Sequence, residues 1–227
     1  MKKSYRHISG RLNIIISLLI LAVLNPSFLS AMDKVNTLEE DLLSGSNLYD
    51  RGRYNDALKF YLNLLKDFPG NGTLLYETAV TNYALNDYGT ALTFAQKAEA
   101  LLPGSDKVKI LLGNIFDKIK RSDDALEQYL AAIKINPKSD SACYNLGVFY
   151  YNNGRYKEAG EAFITSLGIN GNNPSAYYSL GCVYVRLNDT DSAKEAFRRF
   201  LDMEKKSERS DEVRKVLKTI ILSRQKK

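Results

Sequence analysis

An alanine recurs every 34 residues in this chain, without insertion or deletion, and this period constrains the fold more than any other feature. A small residue precedes each alanine by twelve positions, and an aromatic residue follows four of the five alanines by four positions. The five alanines are Ala57, Ala91, Ala125, Ala159 and Ala193, and the small residues are Gly45, Ala79, Gly113, Gly147 and Gly181. A period of this length is typical of an array of stacked supersecondary units.

Each period has room for two antiparallel helices, A and then B, of about 12–14 residues. The small residue falls at the eighth place of helix A, where a larger side chain would hold the two axes more than about 8–10 Å apart. The aromatic residue of helix B is predicted to fill the gap between units. Asn173 followed by Pro174 predicts a capped helix start. Thr37 and Glu40 have capping-box spacing and predict the start of the first helix.

The pattern resembles the tetratricopeptide repeat family, most closely in LLGNIF (111–116), YNLGVFY (144–150) and YSLGCVY (178–184). The resemblance covers 38–207 and divides it into the units 38–71, 72–105, 106–139, 140–173 and 174–207. It implies an all-α fold, a right-handed superhelical solenoid of five helix pairs. Residues 32–37 are predicted to be a short linker, and 208–227 a capping helix with a basic tail, because an array must cover its last apolar face. A membrane-surface helix is the alternative for that last segment.

The N-terminal segment has the order of a secretory signal: basic residues in 1–11, an apolar run at 12–24 and small residues near 27–31. We therefore expect a signal peptide over 1–31, cleavage after Ala31, and export to the periplasm, the cell envelope or the secreted space. The apolar run of 13 residues is short for a membrane span, which needs about 20. An uncleaved single-span anchor in the inner membrane is the alternative.

The net charge of +6 does not indicate nucleic-acid binding, because the basic residues are concentrated at the two ends of the chain. Residues 1–31 hold four basic and no acidic side chains, and residues 204–227 hold nine basic and four acidic ones. The body between them is slightly acidic. We therefore expect no nucleic-acid partner, and membrane contact only through an uncleaved N-terminal segment.

Catalysis and metal binding are not expected from this composition. The only histidine is His7, which lies in the segment predicted to be removed. No catalytic residue, cofactor or metal site is therefore assigned. Cys143 and Cys182 are predicted to diverge from one another and to remain free thiols, with Cys182 the more accessible.

The resemblance implies that places 2, 5, 9, 12 and 13 of each helix A face a concave groove that binds a protein or peptide. Tyrosine is enriched among the residues that dominate binding energy, because it offers a stiff ring and a hydroxyl group. Tyr144, Tyr151 and Tyr178 form the best candidate group. The predicted groove residues are Tyr49, Tyr76, Tyr83, Asn114, Tyr144, Tyr151, Tyr178 and Arg186.

One known ligand of the family does not suit this chain. Some members clamp the C-terminal carboxylate of cytosolic chaperones with two asparagines and three basic residues. Asn114 and Asn145 match that pattern, but Ile110, Ser175 and Ser179 stand where the cations are needed. Without those cations a carboxylate gains little.

The resemblance and the composition together favour a non-enzymatic scaffold or adaptor that binds a protein or peptide partner whose identity the sequence does not give. The alternative is a structural assembly subunit, or a membrane-anchored repeat protein, that associates with copies of itself.

Overall fold

The computed structural model describes the backbone of residues 26–224 and the side chains of residues 37–219. The described backbone is all-helical, as the resemblance implies. Its eleven helices are α1 (Pro26–Asp50), α2 (Tyr54–Asp67), α3 (Gly72–Ala84), α4 (Tyr88–Leu101), α5 (Asp106–Lys118), α6 (Ser122–Ile135), α7 (Asp140–Asn152), α8 (Tyr156–Ile169), α9 (Pro174–Arg186), α10 (Thr190–Met203) and α11 (Glu208–Arg224). The chain divides into two compact units, Met1–Lys66 and Asp67–Lys227.

The first unit contains α1 and nearly all of α2. Helix α1 begins at Pro26, so the capping box expected at Thr37 and Glu40 is wrong: both residues lie inside the helix. Proline suits the first turn of a helix, because the amide it lacks has no partner there. Residues 32–37, expected as a linker, are helical. The apolar run at 12–24 and most of the predicted signal peptide lie outside the described residues.

The second unit is a row of four helix pairs, α3–α4, α5–α6, α7–α8 and α9–α10, followed by α11. Within a pair the two helices pack along their length, and each B helix also packs on the A helix that follows. The A helices α3, α5, α7 and α9 pack side by side in chain order. One side of this unit is therefore built from A helices alone.

Polar caps set where the A helices of the second unit begin. The side-chain oxygens of Asn71, Ser105, Ser139 and Asn173 each accept a hydrogen bond from the backbone amide three residues later. These bonds satisfy amides that have no partner within the helix. The cap predicted at Asn173, with Pro174 opening the helix, is confirmed.

A ring-on-glycine contact joins helix A to helix B in four of the five helix pairs. An ideal Cβ built on Gly45, Gly113, Gly147 or Gly181 would lie 2.2–2.7 Å from an aromatic ring carbon of the paired B helix. The four rings, in the same order, are Tyr61, Tyr129, Phe163 and Phe197. Each ring therefore lies on the glycine of its own pair, where no Cβ would fit. The predicted packing between units is also present: the Tyr129 ring centroid lies 5.7 Å from that of Phe149, and Phe163 shares a cluster with Leu180 and Val183 of the next unit.

The α3–α4 pair has two alanines at these two places. Ala79 replaces the glycine and Ala95 replaces the aromatic ring, and both are fully buried. Thr78, beside Ala79, is also buried and donates a hydrogen bond to the Leu74 carbonyl at 2.7 Å. The sizes of the two facing residues are thus linked, because a Cβ on helix A is accommodated only where helix B has no ring.

Helix α11 covers the apolar end of the α9–α10 pair, as expected of a cap. Val213 is buried against Phe197 and Phe200, and Val216 and Leu217 pack at the edge of the same cluster. The side chains of Ile220 and Ile221, further along α11, lie outside the described residues.

In every repeat the turn between helices A and B has a residue in the left-handed conformation, at the fifteenth place of the repeat. Gly52, Asn86, Lys120, Gly154 and Asn188 all have a positive φ, between 58° and 75°. Glycine and asparagine adopt this conformation readily, whereas lysine does so at a cost. The turn at Lys120 is therefore the strained member of the set.

Replacing Gly147 with alanine should destabilise the wild-type chain but not a chain that lacks the Phe163 ring. Overpacking costs about 1–3 kcal/mol, and removal of a helical glycine returns about 1 kcal/mol. In a Phe163→Ala background only the second effect remains, so Gly147→Ala should there raise the free energy of unfolding. Urea unfolding of the wild type, the two single variants and the double variant measures both changes. An equal cost of Gly147→Ala in both backgrounds would show that the glycine does not accommodate the ring.

Lys120→Gly should raise the free energy of unfolding by about 0.5–1 kcal/mol, because it removes the left-handed strain. The matched control is Gly154→Lys at the same place of the next unit, where nothing lies within 4 Å of the added Cβ. This control should lower stability by a similar amount. Thermal melting of both variants provides the check, and shifts in the same direction would contradict this account of the turn.

Candidate functional site

A cavity of about 280 Å³ opens on the A-helix side of the second unit, between α7, α9 and α11. We call it the aromatic pocket. Its lining is mostly apolar, with hydroxyl groups, one thiol and one guanidinium group among the apolar surfaces. The lining residues are Tyr144, Val148, Tyr151, Phe163, Tyr178, Ser179, Cys182 and Arg209. The structure therefore brings together the three tyrosines that the sequence singles out.

Tyr144 and Tyr151 reach the pocket because they are seven residues apart on α7, which places them on one helix face about two turns from each other. The Tyr144 ring packs on Phe163 with ring centroids 5.5 Å apart. The Tyr151 ring packs on Tyr156, at the start of α8, with centroids 5.4 Å apart. Both tyrosines are half-buried rather than exposed. They line the pocket and also support the core cluster around Phe163.

Tyr178 occupies on α9 the place that Tyr144 occupies on α7, and it joins the pocket to the capping helix. Its ring centroid lies 6.2 Å from that of Phe197 and 5.5 Å from that of Phe200. Its hydroxyl group donates a hydrogen bond to Glu212 of α11 at 3.1 Å. Burial raises the pKa of the Tyr178 phenol well above its usual value, so the hydroxyl keeps its proton at neutral pH.

Two arginines border this group of tyrosines. The guanidinium carbon of Arg209, on α11, lies 5.4 Å from the centre of the Tyr178 ring, which is a cation–π contact. Arg186, at the end of α9, donates a long hydrogen bond of 3.4 Å to the Tyr151 hydroxyl. That hydrogen bond raises the pKa of the Arg186 guanidinium, so this side chain keeps its positive charge at neutral pH.

The other predicted groove residues in the second unit do not line the aromatic pocket. Tyr76 is half-buried on α3. The Tyr83 ring packs on Tyr88 across the α3–α4 turn, with centroids 5.5 Å apart. Asn114 accepts a hydrogen bond of 2.7 Å from the buried Tyr129 hydroxyl, so its amide oxygen is engaged by the framework.

Tyr49, the predicted groove residue of the first unit, makes the same kind of contact within that unit. Its ring centroid lies 5.0 Å from that of Tyr54. Three helix pairs thus share a pair of tyrosines five residues apart across the A-to-B turn, at 49/54, 83/88 and 151/156. The spacing of five residues is visible in the sequence. That the two rings touch depends on the geometry of the turn, so the second tyrosine of each pair was not predicted to belong to the groove.

Phe163, Ser179 and Arg209 line the pocket but were not among the predicted groove residues. The aromatic residues of the B helices were predicted to serve packing, and Arg209 lies in the segment predicted to be a cap. Nothing in the sequence indicated that the first turn of α11 would lie beside Tyr178, because the angle at which a cap docks depends on tertiary packing.

Both cysteines are free thiols, as predicted, with Cys143 buried and Cys182 half-buried. Burial raises the pKa of each thiol, so the thiolate is a minor form at neutral pH. Cys182 lines the aromatic pocket and is the more accessible of the two.

Among the described residues, no group of three or more histidine, cysteine, aspartate or glutamate side chains is placed to hold a metal ion. No helix in that part of the chain is both long enough and apolar enough to cross a bilayer.

Models of the tetratricopeptide repeat match residues 42–106, 140–173 and 174–207, and a TPR repeat model matches residues 113–154. No curated protein sequence shows significant similarity to the chain.

Several solved structures share the fold. The crystal structure of MamA is 25% identical, with a TM-score of 0.59, and the match covers 71% of this chain and 94% of MamA. TTC0263, a thermophilic TPR protein of Thermus thermophilus, is 22% identical with a TM-score of 0.70, over 81% of this chain and 98% of that one. YrrB, described as a TPR protein with an unusual peptide-binding site, is 20% identical with a TM-score of 0.55, over 75% and 88% of the two chains.

Proposed function

Because the chain belongs to the tetratricopeptide repeat family, whose members typically mediate protein–protein interactions and are generally not enzymes, we propose that it is an adaptor that holds a partner protein or peptide in the aromatic pocket. The observation that carries the proposal is the convergence of Tyr144, Tyr151 and Tyr178 on one cavity. Aromatic side chains around a concave, partly desolvated site are typical of binding hot spots.

The size of the pocket favours a protein partner over a small-molecule cofactor. Its volume of about 280 Å³ lies just below the roughly 300–1,000 Å³ usual for small-molecule sites. It suits one or two side chains that project from a longer segment. The remaining contact would then come from the adjoining surface of the A helices, where half-buried Tyr76 and Tyr83 lie on α3.

Self-association is the second candidate function, and exposed apolar residues on the B helices favour it. Leu130 on α6 and Ile164 on α8 hold the same place in successive units, and they are 49% and 51% exposed. Such residues on a surface away from the aromatic pocket could join two copies of the chain. The two candidates therefore predict different binding faces.

The test must block the pocket without removing the tyrosine rings, because their core contacts mean that alanine substitutions would also cost stability. Ser179→Phe places a ring in the pocket from its wall. The matched control is Thr165→Phe, an exposed position on α8 beside Ile164. We expect Ser179→Phe to abolish co-purification of the native partner from cells of the source organism, with Thr165→Phe retaining it and both variants melting near wild type.

Partner loss in Thr165→Phe alone would assign binding to the B-helix face. Retention of the same partner by both variants would contradict the pocket proposal. Sedimentation velocity of the wild type and both variants separates self-association from binding of a different protein.

We further propose that the adaptor acts outside the cytoplasm and is processed before it does so. The support is the order of basic, apolar and small residues over 1–31. The mature chain should begin at or near Met32. Intact-mass measurement of the native protein tests this, since cleavage removes the mass of the first 31 residues. A membrane-bound chain of full mass would favour the anchor instead.

A further inference from the structure

The two arginines beside the aromatic pocket differ from most others in the described chain. Nine arginine side chains are described, and five of them pair with a carboxylate of their own helix or its cap. Within the described residues, Arg186 and Arg209 have no carboxylate at ion-pair distance. Each rests on a tyrosine instead: Arg209 over the Tyr178 ring at 5.4 Å, and Arg186 on the Tyr151 hydroxyl at 3.4 Å.

Three carboxylates lie on α11 near Arg209. A second, polar cavity of about 660 Å³ adjoins the pocket, and Glu208, Asp211 and Glu212 line it. Glu212 already accepts the hydrogen bond from Tyr178. No carboxylate lines the aromatic pocket itself. An occupant of the aromatic pocket therefore meets Arg209 in the lining and Arg186 beside Tyr151, whereas Glu212 borders the pocket through its hydrogen bond with the Tyr178 hydroxyl group.

The spacing of the cations identifies the kind of ligand. Arg186 is eight residues beyond Tyr178 on α9, which corresponds to about 12 Å along the helix. Arg209 lies over the Tyr178 ring and Arg186 lies against the Tyr151 hydroxyl group, so the two cations are anchored toward different ends of the pocket. About 12 Å corresponds to roughly four residues of an extended peptide. Two acidic side chains about four residues apart would match, with an apolar side chain between them in the pocket.

We propose that the partner presents an internal acidic segment, in which a central aromatic or aliphatic residue enters the aromatic pocket and an acidic residue on either side pairs with Arg209 and Arg186. This proposal rests on the proposed function and specifies its ligand. The apolar side chain supplies most of the affinity, and the paired charges select the sequence and set the salt dependence. The tyrosine contacts hold the guanidinium groups in place, so less side-chain freedom is lost on binding.

The experiment is a selection with the full chain from a library of randomised seven-residue segments, displayed between two linkers so that no segment has a free end. We expect enrichment of segments with a central apolar residue and acidic residues two positions to either side. A selected segment, synthesised with both ends blocked, should bind at least tenfold more weakly to the Arg186→Glu/Arg209→Glu variant. It should also bind more weakly as salt rises.

The matched control is Arg198→Glu on α10, an exposed arginine that also has no ion pair among the described residues. This variant should bind the blocked peptide as the wild type does. A selection repeated on Arg186→Glu/Arg209→Glu should enrich basic in place of acidic residues.

Three results would overturn the proposal, and they differ in what they leave standing. In the first, the selected segments are not enriched in acidic residues, and they bind Arg186→Glu/Arg209→Glu normally but do not bind Ser179→Phe. This result would refute the acidic ligand and keep the pocket as a peptide site. If an acidic peptide binds only when it is synthesised with its C-terminal carboxylate unblocked, the ligand is a chain terminus. If the wild type enriches no segment more strongly than the pocket-blocked Ser179→Phe variant does, the acidic ligand and the pocket are refuted together.

Discussion

The contact on which the repeats depend is an aromatic ring seated on a glycine of the neighbouring helix. It occurs in four helix pairs, where a Cβ would stand 2.2–2.7 Å from the ring. A ring in that position fills the space between two helices at close approach, and it holds helix B in one rotation about its own axis. That rotation determines which B-helix residues meet the next A helix. Ala79 and Ala95 show that the two facing residues must together fit the space between the helices. Both are fully buried although neither is a ring.

Most of the fold was predictable because its information is local and periodic. The 34-residue spacing, the polar caps and the glycine places depend on contacts within one unit, so each signal appears several times in the chain. The start of α1 was not predictable in this way. Thr37 and Glu40 have the spacing of a cap, yet the helix continues through them from Pro26. A capping-box pattern starts a helix only where the preceding residues favour another conformation, and here residues 26–36 are helical.

The candidate site was predictable in part for the same reason. Tyr144, Tyr151 and Tyr178 share helix faces that follow from the period alone, and the structure places them around one cavity. Their partial burial and the placement of Arg209 were not predictable. Both depend on how α11 docks on α9 and α10, which occurs once in the chain and leaves no repeated signal. Asn114 illustrates a related difficulty, since its place suggests a ligand contact while its amide oxygen is engaged by Tyr129.

The capping helix has two roles that its geometry makes hard to separate. Arg209, Glu212 and Val213 lie within about one turn of α11, because residues three and four apart share a helix face. Val213 is buried in the core beneath the cap, while Arg209 and Glu212 contact the ring and the hydroxyl group of Tyr178. The residue that packs the cap on the core and the residues that border the pocket are thus neighbours on one helix. A ligand that contacts Arg209 would therefore stabilise the docked helix by mass action, since it binds only the chain in which α11 is in place.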